Sequence, residues 1–256
     1  MNNPTRRNRN LGTSKQGYGQ NNKLVIPSPC ITSKVFYERL SDYEKVTKLI
    51  NGHEFLFVIE KTREGSFHAC SIGDIEKIIK QIPVQDYGDL KLIIFRQPKR
   101  KEETLSPVWG RLIYSYELET NYLPAIIIEA VNYERKLKWP VKLSIEMQKE
   151  FERLKSDGHI FSNDSRYFVA DYNLENVRNT QLYRTLPHEF GHYVHYLDVV
   201  VRPETEDESY EDWEQRSDTY FAIPSAEKEK FAHAYADQFK KQLTESGIIP
   251  FDRIAD

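Results

Sequence analysis

Cysteine and methionine are both scarce in this 256-residue chain, with two of each. Cys30 and Cys70 are too few for the disulfide framework of a small secreted domain or for a cysteine-based zinc ribbon. Long apolar runs are also missing. Runs such as Leu92–Phe95 and Ala125–Ile128 fall far short of the roughly 20 residues that a membrane-spanning helix needs. Acidic residues are absent from positions 1–29, which carry Arg6, Arg7, Arg9, Lys15 and Lys23. The net charge of -3 therefore hides a basic tail on an acidic remainder. Such a mild overall charge argues against a dedicated nucleic-acid binder, which is usually strongly basic.

The tail holds six asparagines and little apolar surface, so it cannot offset its own ordering entropy, and 1–29 reads as a disordered basic tail. It lacks the apolar stretch of about 7–15 residues of a secretory signal. Asn, Gly and Pro also interrupt any amphipathic import helix. With no export signal in view, the cytoplasm is the expected compartment.

Residues 30–256 read as one globular α+β domain with strands first and helices last. The segment 30–160 is mostly sheet-forming and 161–256 is mostly helical. Phe55–Glu60 is a β-rich run, Thr62–Gly65 a turn and Phe67–Cys70 a returning strand. Ser71 caps a helix over Ile72–Ile82, closed by Pro83. Strands follow at Leu90–Arg96 and Trp109–Leu118, around a polar loop at Pro98–Pro107. The basic residues of 95–101 and 108–111, with Trp109 beside them, read as a solvated loop rather than a nucleic-acid site. Ala125–Val131 is apolar enough for a central strand buried on both faces. A helix over Leu143–Leu154 ends at Asp157-Gly158, and Tyr167–Tyr172 is a short strand. The last helices span about 182–201 and 225–246. Between them lies an acidic loop with seven carboxylates from Glu204 to Glu214, a charge that would steer basic peptides.

Seven histidines are an ordinary number, but three of them fall at 188, 192 and 195. Within that stretch His188-Glu189-Phe190-Gly191-His192 is HExxH. Residues four apart on a helix lie about 40° and about 6 Å apart, so both imidazoles can converge on one cation. Glu189, beside the first ligand, points to a neighbouring sector and can reach a water on the metal, which suits a general base. Chance alone yields this motif in roughly 2% of chains of such composition, so the flanks matter. Leu182, Leu186, Phe190, Tyr193, Val194 and Leu197 supply an apolar helix face. Pro187 fits a first turn capped by Thr185, or else kinks a longer helix. Gly191 costs helix stability and suggests close approach of another backbone.

A catalytic zinc site needs a third protein ligand and an open position. Asp198, ten residues after His188, would match the last position of a metzincin-type pattern. However, His195 stands where that pattern has Gly, and the only internal methionine, Met147, precedes the motif. On the next helix, Glu229-Lys230-Phe231-Ala232-His233-Ala234-Tyr235 resembles the gluzincin metallopeptidases, most of all their small lethal-factor-type catalytic domains. The likeness covers roughly residues 165–240. It implies a zincin-like fold, with a mixed or antiparallel sheet packed on the HExxH helix and a C-terminal ligand-bearing helix. It further implies Zn2+ held by His188, His192 and Glu229, with Glu227 as fallback, and Glu189 as the base. Tyr220 would stabilise the oxyanion, in competition with His233 and Tyr235. Ala232, Ala234 and Ala236 would let the two helices pack closely, and the strand at 167–172 would be an edge strand pairing with extended peptide.

The function so implied is a zinc-dependent metallopeptidase, a hydrolase acting on a peptide or protein substrate. The alternative is a metal-binding regulatory or partner-binding module without turnover. An open coordination position favours the enzyme, and a fourth protein ligand favours the module.

Overall fold

The computed structural model describes residues 36–105, 108–205 and 207–255. The disordered tail expected at 1–29 lies outside them. Tyr43–Ile50 forms β1 and His53–Glu60 forms β2. Asn51 and Gly52, at φ +50° and +81°, join them. Two successive left-handed residues match the twist of a tight hairpin. Reading the sheet from Phe55 onward misses β1, because its charged outward side chains dilute the apolar alternation. The Asn-Gly pair was the available signal.

Further along, β3 (Ser66–Phe67) does not return to β2 as expected of Phe67–Cys70; it pairs with residues 131–132. Ser71 caps α1 (Ile72–Ile79) in a capping box with Asp74. Next come β4 (Leu92–Arg96) and a helical turn, α2 (Glu102–Leu105), inside the expected loop. The hairpin of β5 (Gly110–Leu118) and β6 (Asn121–Glu129) leads through β7 (Val131–Asn132) to β8 (Lys136–Pro140). Helix α3 (Ile145–Ser156) starts at the Ser144 cap, followed by β9 (Ser162–Asp164) and β10 (Tyr167–Asp171).

Helix α4 (Leu174–Thr180), capped by Asn173, runs on through a π-helical turn at Gln181–Thr185 into α5 (Leu186–Tyr196) and a second such turn at Leu197–Val201. Thr185 is therefore helical and not an N-cap; its hydroxyl donates to the Thr180 carbonyl. The wider turn before Pro187 absorbs the hydrogen bond that proline cannot make. The second half of the expected acidic loop is also helical. Ser209 caps α6 (Tyr210–Ala222), whose first turn holds Glu211 and Asp212, where the positive end of the helix dipole favours acids. The chain closes with α7 (Ser225–Glu245).

The main sheet is mixed, in the order β1-β2-β4-β6-β5. Its centre, β2-β4-β6, is parallel, and both outer pairs are antiparallel. One face packs Phe57, Ile93, Phe95 and Ile126 against Ile75, Leu186, Phe190 and Phe239 of the helices. The other buries Val58, Leu92, Ile94 and Ile127 with Tyr116. The apolar runs in β4 and β6 are thus buried on both faces, as strands in a covered parallel sheet should be. A second sheet has the order β8-β10-β9, so the strand at 167–171 is central and not an edge. Arg96 and Gln97 are buried rather than solvated, and Arg96 is paired with Glu102 and Glu129. From Tyr37 onward the chain forms one compact unit.

Two contacts hold the helices where the functional residues need them. A Cβ added at Gly191 would lie 2.9 Å from Ala232 Cα and 3.0 Å from its carbonyl oxygen. Ala232 and Ala236 are buried on α7, whereas Ala234 faces outward. Buried Asp157 accepts hydrogen bonds from Thr180 Oγ1, Arg184 Nε and Lys240 Nζ, tying the end of α3 to both long helices.

Gly191→Ala forces α5 and α7 apart and should cost about 1–3 kcal/mol, read as a lowered denaturant midpoint. A wild-type midpoint would mean that the helices are not in contact there. Arg178 holds Asp74 by two hydrogen bonds of 2.8 and 2.9 Å. Burial pushes the Asp74 carboxyl up, but Arg178 and the backbone N–H groups of Ile254 and Ser71 outweigh this and hold it below its usual value. Its contribution to stability is complete above about pH 4 and is lost as pH falls through the lowered folded value. Arg178→Ala, which strands a buried carboxylate, should cost about 3–5 kcal/mol at neutral pH and flatten that acid limb in urea titrations.

Candidate metal centre

The i, i+4 spacing on α5 turns His188 and His192 to the same side, and their Nε2 atoms lie 3.1 Å apart. The close contact of Gly191 with Ala232 brings up the N-terminal half of α7. Glu229 Oε2 is 3.2 Å from His188 Nε2, and Oε1 is 3.4 Å from His192 Nε2. Ligand atoms on a tetrahedral zinc with bonds of about 2.0–2.1 Å sit about 3.3 Å apart, so the three groups fit one divalent ion. Among the described residues, His188, His192 and Glu229 form such a group and Glu227 is outside it. Hydrogen bonding to His188 and then His192 holds the Glu229 carboxyl far below its usual range, although its side chain is half exposed.

Glu189 turns the other way and is 8% exposed. Its Oε2 accepts a 2.7 Å hydrogen bond from the backbone N–H of Leu112 on β5. Burial raises its pKa, against the opposing pull of His188, His192 and the Leu112 N–H. An acid so placed takes and returns protons more readily than an exposed one.

The group opens into a cleft of about 330 Å³ lined by Arg111, Leu112 and Tyr114 of β5, by Ser225 and Lys228 of α7, and by His188, Glu189, His192 and Glu229. The strand beside the site is thus β5, a true edge of the main sheet, and not the strand at 167–171. Sequence reasoning identified Trp109–Leu118 as a strand but did not bring it to the motif; that neighbourhood depends on long-range pairing. Among the described residues, none of the acidic segment from Glu204 lines the cleft, whereas Arg111 and Lys228 do.

The other candidates fall elsewhere. Tyr220 is fully buried and does not line the cleft. Its hydroxyl meets the Tyr114 hydroxyl at 2.8 Å and donates to the His192 carbonyl at 3.2 Å. The tyrosine at the cleft is Tyr114, with Tyr220 bracing it from behind. Tyr235 donates to Asp86, away from the site. His195 is stacked on Phe231. Asp198 is ion-paired to Arg202. His233 packs against the His188 ring and accepts from Arg153 Nη1 at 3.1 Å. Burial, then the charges of His188 and Arg153, lower its pKa to about 4.

No family model matches this sequence, no curated protein is found similar to it, and no solved structure matches its fold.

Purified protein should hold about one zinc per chain by elemental analysis, because three ligand atoms already stand at coordinating separations. Glu229→Ala should lose most of that metal, while Glu227→Ala should keep it. Below about 0.1 zinc per chain, with no uptake on addition, the three side chains are not a metal site.

Proposed function

We propose that this protein is a zinc-dependent peptidase of the gluzincin type. The observation that carries the reading is the joint placement of three ligand atoms 3.1–3.4 Å apart and a buried glutamate tethered to the edge strand beside them. A zincin-like arrangement, with the motif helix under a mixed sheet and an antiparallel edge strand over the cleft, agrees with the resemblance of the motif region. Among the described residues the candidate group has three members. That leaves a position open, which favours a catalytic site over a closed structural one.

His188, His192 and Glu229 would hold the zinc, which when bound supplies Lewis acidity and lowers the pKa of water toward about 7. An extended peptide adds as a strand along β5, the outer strand of the main sheet among the described residues. Leu112 illustrates the geometry. Trp109 accepts from Glu129 within the sheet, while the Leu112 N–H, three residues on, faces outward to Glu189. Glu189 takes the proton of the attacking water and delivers it to the leaving nitrogen. Its tether to Leu112 keeps the carboxylate aimed along the strand that holds the substrate. Lys228 presents a donor to the cleft, where negative charge develops on the carbonyl oxygen; the Tyr114 hydroxyl also lines it and would serve there by turning its proton from Tyr220 to that oxygen.

Glu189→Gln keeps the shape of the site but removes the proton acceptor. Hydrolysis of an unstructured protein such as casein should fall at least about 100-fold, with zinc content unchanged. Full activity in that variant would refute this mechanism. Tyr114→Phe should lower kcat/KM by about 100-fold if its hydroxyl meets the developing charge, and Tyr220→Phe by much less. The reverse order would return the role to Tyr220.

A further inference from the structure

A second cavity, of about 310 Å³, adjoins the cleft, and Arg111 lines both. Its walls are largely aromatic and aliphatic: Trp109, Leu137, Trp139, Met147 and Tyr172. They come from three places in the fold, namely the approach to β5, the small sheet and α3. That construction belongs to a built recess rather than to a surface groove. Its size is at the lower end of ligand pockets, about 300–1,000 Å³, which suits one bulky side chain rather than a nucleotide-sized cofactor.

The charges at its rim decide what kind of side chain. Glu129 is 2% exposed and paired with Arg96 at 3.2 Å and Arg111 at 3.3 Å. Glu102 is paired with Arg96, and Glu103 with Arg63 and Arg135. Each carboxylate on the wall already faces a guanidinium, although both Glu129 oxygens lack a hydrogen bond, so a basic side chain would meet the positive charge of Arg111 and Arg135 together with the acids. An aromatic ring finds edges and faces to pack on. Trp109 and Tyr172 already meet edge-to-face at 6.1 Å.

Position along the strand links this cavity to the chemistry. Leu112 tethers Glu189, and Trp109 is three residues earlier, or about 10 Å of extended chain. We propose that the cavity is a specificity pocket that takes an aromatic side chain of the peptide bound along β5, two or three residues from the bond that is cut. This rests on the peptidase reading and adds to it the substrate class: segments carrying Phe, Tyr or Trp at that spacing.

The chain's two methionines, Met1 and Met147, provide a direct test. Zinc-loaded protein labelled with 13C-methyl methionine gives one probe in the cavity and one in the tail. Titration with N-acetyl-phenylalaninamide should shift the Met147 methyl resonance saturably and leave Met1 in place. N-acetyl-alaninamide and N-acetyl-lysinamide should not shift it. No Met147 shift, or an equal shift with the lysine probe, overturns the proposal. In parallel, decapeptides with one Phe moved stepwise along an otherwise Ala/Ser sequence should be cut at a constant distance from Phe. Trp139→Ala should lower kcat/KM for the Phe peptides at least 10-fold and for a Phe-free peptide less than 2-fold. Met147→Trp, which fills the recess, should do the same if the first variant does not fold. Cleavage indifferent to Phe overturns the pocket while the peptidase reading stands. A Met147 shift without cleavage of any peptide overturns the peptidase reading and leaves an aromatic-binding recess.

Discussion

The site depends on one close contact between two helices. With no side chain at Gly191, α5 approaches α7 until a Cβ there would come within 2.9 Å of Ala232. Three residues before Ala232, the same face of α7 delivers Glu229 to the two histidines. A helix pair held even one methyl group further apart would leave His188 and His192 converging with no third ligand atom beside them. The helix-propensity cost of a glycine inside α5, about 1 kcal/mol relative to alanine, is offset by that approach. The Asp157 cluster secures the same helices from the other end through Thr180, Arg184 and Lys240.

The second constraint is the edge of the main sheet. Among the described residues, strand β5 is the last strand, antiparallel to β6, so one row of its backbone groups has no partner strand. Leu112 uses its outward N–H to hold Glu189, and Tyr114 reaches the cleft while its hydroxyl is braced by Tyr220. On the same strand, Arg111 stands between the cleft and the neighbouring aromatic recess, anchored by a buried glutamate at its back. One edge strand thus positions Glu189, the cleft wall and the proposed specificity pocket. In the proposed reaction it would also position the substrate.

Much of this was legible in local pattern. The apolar runs of β4 and β6, the Ser71 cap of α1 and the motif on α5 all follow from spacing and residue type, while Glu229 on α7 was singled out by the resemblance to the gluzincins. What pattern reading missed has identifiable causes. Strand β1 carries charged outward residues, and only its Asn51-Gly52 turn betrays it. Helix α6 begins among seven closely spaced carboxylates, which suggest a loop until Ser209 is recognised as a cap. Thr185 looks like a cap because Pro187 follows it, yet the π-helical turn absorbs the proline within a longer helix. Tyr220 lies at a suggestive distance along the chain from Glu229, but chain distance does not say that its hydroxyl is sealed behind Tyr114.

The amino-acid sequence by itself determined the spacing of the two histidines, the glutamate beside the first and the helix that bears Glu229, because these are local regularities of 3.6 residues per turn. Only the tertiary structure decided that β5 and not the strand at 167–171 flanks the site. It likewise decided that Tyr114 and not Tyr220 meets the cleft, and that an aromatic recess with matched charges opens alongside. Those facts depend on pairings across dozens of residues, where side-chain packing and burial select one arrangement from many that the local pattern allows.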